Sequence, residues 1–241
     1  PDSFYDGGKF NSNDSSLKRL ENMVEEGASI IDIGGCSTRP GSDSISLEDE
    51  WDRIKFIIKE SVNRYPSKLI SVDTYRSEIA SRALSEGVHL INDVSGGSYD
   101  SNMYKVISEN NVPYVLMHLR GTPKDMMSKT NYDDLIIDIM SYFRKKIDKL
   151  NSLGVNDIIL DPGFGFAKDF EQNFEILDNL NVFGTFNLPI LVGLSRKSFI
   201  RKKYGVENSL EGTIEMNKLA IEKGAEIIRV HDIKEHNNLI R

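Results

Sequence analysis

The run Asp161-Pro162-Gly163-Phe164-Gly165-Phe166 follows an apolar segment, Ile158 to Leu160, and so puts a carboxylate where a buried strand gives way to a glycine-rich loop. An α/β barrel keeps its chemistry at such strand ends. The pattern recurs: Asp32 closes Ser29-Ile30-Ile31, Asp73 closes Leu69-Ile70-Ser71-Val72, Asn92 and Asp93 close Leu90-Ile91, and Arg229 with His231 closes Glu226-Ile227-Ile228. One rim of strand ends thus collects polar groups. Its carboxylates could accept hydrogen bonds or balance a cation, and its Arg and His could hold an anion.

The elements that must position these groups are legible from periodicity. Short β-branched runs begin at about Ser29, Leu69, Leu90, Tyr114, Asp157, Pro189 and Glu226, which predicts seven strands. Between them Leu17, Leu20 and Val24 share one helix face, Trp51, Ile54, Ile58 and Val62 another, and Ile136, Met140, Phe143, Ile147 and Leu150 a third. Ser15 and Ser46 are expected N-caps, and Gly27, Gly87, Gly154 and Gly224 stand just past the expected helix C-termini. Strictly alternating β and α with continuous apolar strands means a parallel sheet, open or closed, and the polar rim favours closure. The expected fold class is therefore α/β, a (β/α)8 TIM barrel. Seven strands are counted where eight are needed, so the barrel is expected to lack its first strand and most of its last helix in the given chain.

Composition limits the alternatives. The 241 residues contain no Pro/Ser/Gly-rich linker, so one barrel domain over residues 1–241 is expected. With 39% hydrophobic and 28% charged residues the chain has ordinary globular composition. A net charge of −7 and a pI near 5.2 argue against a nucleic-acid partner, which would need a basic face. The single cysteine, Cys36, has no internal disulfide partner and no zinc-ligand spacing to any of the four histidines, which suits a reducing cytoplasm. No apolar run approaches the ~20 residues of a bilayer span, so no membrane partner is expected.

Taken together, the motifs resemble the dihydropteroate synthase family of the folate pathway. The resemblance is carried by Pro1-Asp2-Ser3-Phe4, by Asp32-Ile33-Gly34-Gly35-Cys36-Ser37-Thr38-Arg39-Pro40-Gly41, by Ser71-Val72-Asp73-Thr74 and by Asn92-Asp93-Val94. It continues through Met117-His118, Asp161 to Phe166, Ser195-Arg196-Lys197-Ser198 and Arg229-Val230-His231-Asp232. Eight motifs in the family's order make chance agreement very improbable, though any one alone would be weak. The resemblance implies a homodimer. It implies condensation of 6-hydroxymethyl-7,8-dihydropterin pyrophosphate with para-aminobenzoate, and competition by sulfonamides for the second substrate. It also implies Mg2+ carried by the substrate pyrophosphate, with its protein ligand an Asn upstream of Pro1 and no metal ligand within the chain.

The resemblance distributes the roles as follows. Asp161, Asn92, Asp73 and Lys197 are expected to read the hydrogen-bonding edge of the pterin, and Met117 and Phe166 complete its pocket. Arg39, Arg229 and His231, helped by the Thr38 hydroxyl, are expected to hold the pyrophosphate. Phe4, Pro40 and Ser198 are expected to meet para-aminobenzoate under two mobile glycine-rich loops. Catalysis falls to Asp73, which steadies the pterin cation left as pyrophosphate departs, with Asp32 and Lys197 in support. Plainer readings compete at each position: a strand-end Asp often caps a loop, a lone Lys is usually solvated, and Arg229 and His231 could simply pair with Asp232. Cys36 departs from the family, standing where a glutamate is common. Two alternatives stay open, a methyltetrahydrofolate-binding methyltransferase, which has no use for an anion clamp, and a non-catalytic pterin-binding domain.

Overall fold

The computed structural model describes residues 13–37 and 45–239, over which seven strands alternate with helices. The strands are β1 (Ile30–Gly34), β2 (Leu69–Asp73), β3 (Leu90–Asp93), β4 (Tyr114–Met117), β5 (Ile158–Asp161), β6 (Leu191–Val192) and β7 (Ile227–Ile228). The helices are α1 (Asn13–Glu25), α2 (Leu47–Arg64), α3 (Ser77–Ser85), α4 (Met103–Asn110), α5 (Leu135–Ser152), α6 (Phe170–Asp178), α7 (Ser198–Tyr204), α8 (Ser209–Glu222) and α9 (Ile233–His236). Each strand pairs in parallel with its successor from β1 to β5, and β6 pairs with β7. A bridge between Leu160 and Ile190 links the two groups, so the strands follow one another in barrel order. Among the described residues β7 pairs only with β6, and no ladder joins it to β1.

The register sorts every strand residue to one of two faces, because side chains alternate along a strand. Ile31, Ile33, Ile70, Val72, Ile91, Tyr114, Leu116, Ile158, Leu160 and Val192 point outward into the main core shared with the helices. The opposite parity turns inward. At the lower level of the interior, Leu90, Val115 and Leu191 cluster with Ile30, Ile159 and Ile227. One step up the same parity holds Asp32, Asn92, Met117 and Asp161. The barrel interior is thus apolar at its foot and polar at its rim.

Local signals account for most element ends. Ser46 caps α2 by accepting from the Asp49 amide at 3.0 Å. The four expected glycines all adopt positive φ after helices, where a Cβ would be strained. Two expectations are corrected. Helix α1 begins at Asn13, so Ser15 lies within its first turn rather than capping it. The buried face of α5 is Leu135, Ile139, Phe143, Ile147 and Leu150, with Ile136 and Met140 only flanking it, because the stripe drifts as 3.6-residue turns accumulate.

Candidate active site

Asp32, Asp73, Asn92, Phe166, Lys197, Arg229 and His231 line one cavity of about 630 Å3 that runs from the polar rim down to Leu90, Val115 and Leu191. Of the other expected residues, Asp161 and Met117 are buried beside this cavity rather than on its wall. Ser198 is exposed at the start of α7 and does not line the cavity, because the first turn of α7 points it to solvent. Phe4, Thr38, Arg39 and Pro40 lie outside the described residues, as does most of each glycine-rich loop. Gly35, at the foot of the second loop, packs so closely on α2 that a Cβ would stand 2.8 Å from the Glu50 carbonyl oxygen.

Arg229 is the hub. Its Nη1 donates to Asp32 Oδ2 at 3.2 Å and to Asp73 Oδ2 at 3.3 Å. Gly193 supplies the room, since a Cβ there would stand 3.3 Å from Nη2. The Nε and Nη2 donors carry no hydrogen bond among the described residues. The plainer pairing of Arg229 with Asp232 is therefore excluded: Asp232 takes a two-pronged bond from Arg196, at 2.8 and 2.9 Å. His231 places Nδ1 3.0 Å from Ser195 Oγ.

Asn92 Nδ2 donates to Asp32 Oδ2 at 2.9 Å. A carboxylate can only accept, so this bond fixes the orientation of the amide and turns the Asn92 carbonyl oxygen away from Asp32, available to a ligand donor. Asp32 Oδ1 is buried and has no hydrogen-bond partner among the described residues. Asp93, next to Asn92 in the chain, has the opposite parity and faces the helices instead. There it accepts from the Tyr114 hydroxyl and from the Ser95 and Gly97 amides.

Burial, reinforced by the charge of Asp32, pushes the Asp73 carboxyl up to about 7 despite Arg229. Burial likewise brings the Lys197 ammonium down to about 7, with the charge of Asp161 opposing the drop. Lys197 Nζ donates to the Phe164 carbonyl and lies 4.5 Å from the centre of the Phe166 ring. The Asp73 shift has a testable sign. Between about pH 4 and 7 the folded protein holds a proton that the unfolded chain has released, so this group's contribution to stability falls as pH rises through that window. Asp73→Asn is accordingly expected to stabilise the ligand-free protein by ~1–2 kcal/mol at pH 8 and negligibly at pH 4. Denaturant titrations at both pH values check this, and an equal gain at both would refute the assigned cause.

Two residues that sequence reasoning did not place are central here. Lys168 is buried and bonded to His118, and Ser195 steadies His231. A lysine two residues past a glycine-rich loop reads as solvated, so no local signal marks Lys168.

A parallel barrel with paired carboxylates, a carboxamide and an arginine on one interior rim is a binding site suited to a ligand that offers hydrogen-bond donors and carries negative charge. Residues 1–231 match the family model described as pterin binding enzyme. The dihydropteroate synthase of Synechocystis sp. is 42% identical over 239 residues, covering 97% of this chain and 82% of that protein. The Yersinia pestis dihydropteroate synthase, solved as a sulfonamide drug complex, superposes with a TM-score of 0.94 at 36% identity, covering 100% of this chain and 88% of that one. The Xanthomonas albilineans dihydropteroate synthase, solved with 4-aminobenzoic acid, gives a TM-score of 0.90 at 32% identity over 100% of this chain and 87% of that one. The chain belongs to the pterin-binding enzyme family and, within it, to the dihydropteroate synthases of folate biosynthesis.

Proposed function

We propose that the chain joins 6-hydroxymethyl-7,8-dihydropterin pyrophosphate to para-aminobenzoate, giving 7,8-dihydropteroate and pyrophosphate. The observation that carries this reading is the Arg229 guanidinium bonded to two inward carboxylates on the cavity wall, with unused donors directed elsewhere. That arrangement serves both halves of a reaction in which a carbon–oxygen bond to pyrophosphate breaks and a carbon–nitrogen bond forms. Negative charge grows on the departing oxygen while positive charge grows on the pterin.

Arg229 and His231 are assigned to the departing diphosphate, together with Thr38 and Arg39. A planar guanidinium offers paired donors to phosphate oxygens, and fixed donors act most strongly where charge develops. Asp73 and Asp32 face the pterin cation. A cation arriving beside Asp73 favours its ionised form, so the carboxylate strengthens when it is needed. Asn92, with its free carbonyl on the cavity wall, and Asp161, buried beside that wall, are assigned to accept from the pterin N–H groups, with Phe166 walling the ring and Met117 packed against Phe166. Lys197, beside Asp161 in charge, completes the pterin set. The amine of para-aminobenzoate is neutral at physiological pH and loses its proton after attack, so positioning rather than a strong base is required. Phe4, Pro40 and Ser198, the last exposed at the start of α7 outside the cavity, are assigned to that substrate, and sulfonamides are expected to compete there.

Among the described residues no group of three His, Cys, Asp or Glu is arranged to hold a metal. Mg2+ commonly binds through substrate phosphates, waters and one or two protein oxygens. The expected Asn ligand is not in this sequence, and Asp32 Oδ1, buried without a partner among the described residues, is an atom here that would fit the same mode. Bound there, Mg2+ would neutralise pyrophosphate charge. Homodimer formation and a cytoplasmic setting belong to the same proposal. Among the described residues no helix is long and apolar enough to cross a membrane.

The test is pyrophosphate release from dihydropterin pyrophosphate with Mg2+, with and without para-aminobenzoate. Release that depends on para-aminobenzoate is the expected result. Pterin binding without such release would favour the non-catalytic reading.

A further inference from the structure

Lys168 is only 2% exposed, and its ammonium meets three acceptors: Gly163 O at 3.0 Å, Phe166 O at 2.9 Å and His118 Nδ1 at 3.0 Å. Three hydrogens are thus matched to three lone pairs. While Lys168 is protonated it can only donate, so His118 Nδ1 is then the acceptor; burial brings that ammonium down to about 7, with the charge of Asp161 opposing the drop. Burial and the adjacent Lys168 charge both hold His118 far below the usual imidazole range, which keeps the ring neutral. The His118 ring is itself fenced, edge-to-face with Tyr142 at 4.9 Å.

A buried charge is costly, and among the described residues no carboxylate lies within ion-pair distance of Lys168 to offset it. The two backbone acceptors explain what the charge holds. Gly163 and Phe166 are the ends of one tight turn. At the first end, the Gly163 amide donates to Asp161 Oδ1 at 2.7 Å. Gly163 has φ of 75°, and a Cβ on it would stand 2.1 Å from the His118 carbonyl oxygen, so the turn is pressed against β4's end. At the other end, the Phe166 ring underlies the Lys197 ammonium, and Phe164 within the turn accepts from it. Tyr132 Oη adds a bond to Ala167 O at 2.9 Å.

We propose that Lys168 is a positioning residue for pterin recognition: by tying both ends of the 163–166 turn, its ammonium sets the Asp161 carboxylate and the Lys197 platform against the pterin edge. The proposal rests on the pterin-binding reading of the same cavity. It predicts that Lys168 acts through Asp161, which separates it from a residue that merely stabilises the fold.

The test is calorimetric titration of 6-hydroxymethylpterin into the unsubstituted protein, Lys168→Met, Asp161→Asn and the double variant, with affinity read per folded molecule from the stoichiometry. Lys168→Met is expected to weaken binding ~10-fold or more on its own and less than ~3-fold when Asp161 is already Asn, since coupled residues lose additivity. Lys168→Gln, which keeps two donors, is expected to recover part of the loss and carries the same comparison if the Met variant does not fold. Unchanged affinity in the folded Lys168 variants, or an equal loss in the Asp161→Asn background, would overturn the positioning role alone. No pterin binding by the unsubstituted protein would overturn the pterin reading and this proposal with it.

Discussion

Replacing Asp161 by Asn is expected to weaken pterin binding ~100-fold or more while leaving the protein folded. Asp161 ends β5 at 3% exposure, with Oδ1 committed to the Gly163 amide. A carboxylate accepts on both oxygens, whereas a carboxamide must aim its NH2 either at that amide or at the ligand. Either way a donor faces a donor. Two charge-assisted bonds to the pterin are worth about 1.5–3 kcal/mol each, and about 1.4 kcal/mol is tenfold in affinity. The loss is compounded at Lys197, whose ammonium is sustained by the Asp161 charge against burial. Removing that charge lowers its protonation further near neutral pH, and a donor to the pterin is lost with it. Calorimetric titration with pterin measures the effect. A change below about fivefold would remove Asp161 from the pterin set.

Arg229→Ala is expected to act on the other half of the substrate, costing pterin pyrophosphate ~100-fold and pterin alone less than ~5-fold. The guanidinium spends Nη1 on Asp32 and Asp73, and its remaining donors are the ones a diphosphate would engage. Charge-assisted bonds to phosphate in a part-buried site are among the stronger ones a protein makes. The substitution also strips the counter-charge from two neighbouring carboxylates. Asp73, already raised by burial and by Asp32, then holds its proton to higher pH still, so turnover in the variant is expected to fall more than substrate affinity alone requires. Parallel titrations with the two ligands decide it, and an equal loss for both would sink the anion-site role.

Much of the site could be read from linear pattern, yet its wiring could not. Asn92 and Asp93 are adjacent and similar in size, but strand parity sends the first into the cavity and the second under the helices, where Tyr114 holds it. Arg229 stands three residues from Asp232 and ignores it, choosing Asp32 and Asp73 from the first two strands instead. Ser198 shares a motif with Lys197, but the turn into α7 directs it to solvent.

The sequence by itself determined which segments are strands and helices, where most helices stop, that the sheet is parallel, and that polar groups gather at the strand ends. These follow from local sterics and from the 2- and 3.6-residue periods of burial, which short windows of chain record. Only the tertiary structure decided which charge meets which. Partners such as Arg229 and Asp32 are 197 residues apart and meet only because β1 and β7 flank the same interior. The burial of Lys168 has the same origin: its three acceptors come from β4's end and both ends of one turn, a cage that exists only once β4 and β5 are paired.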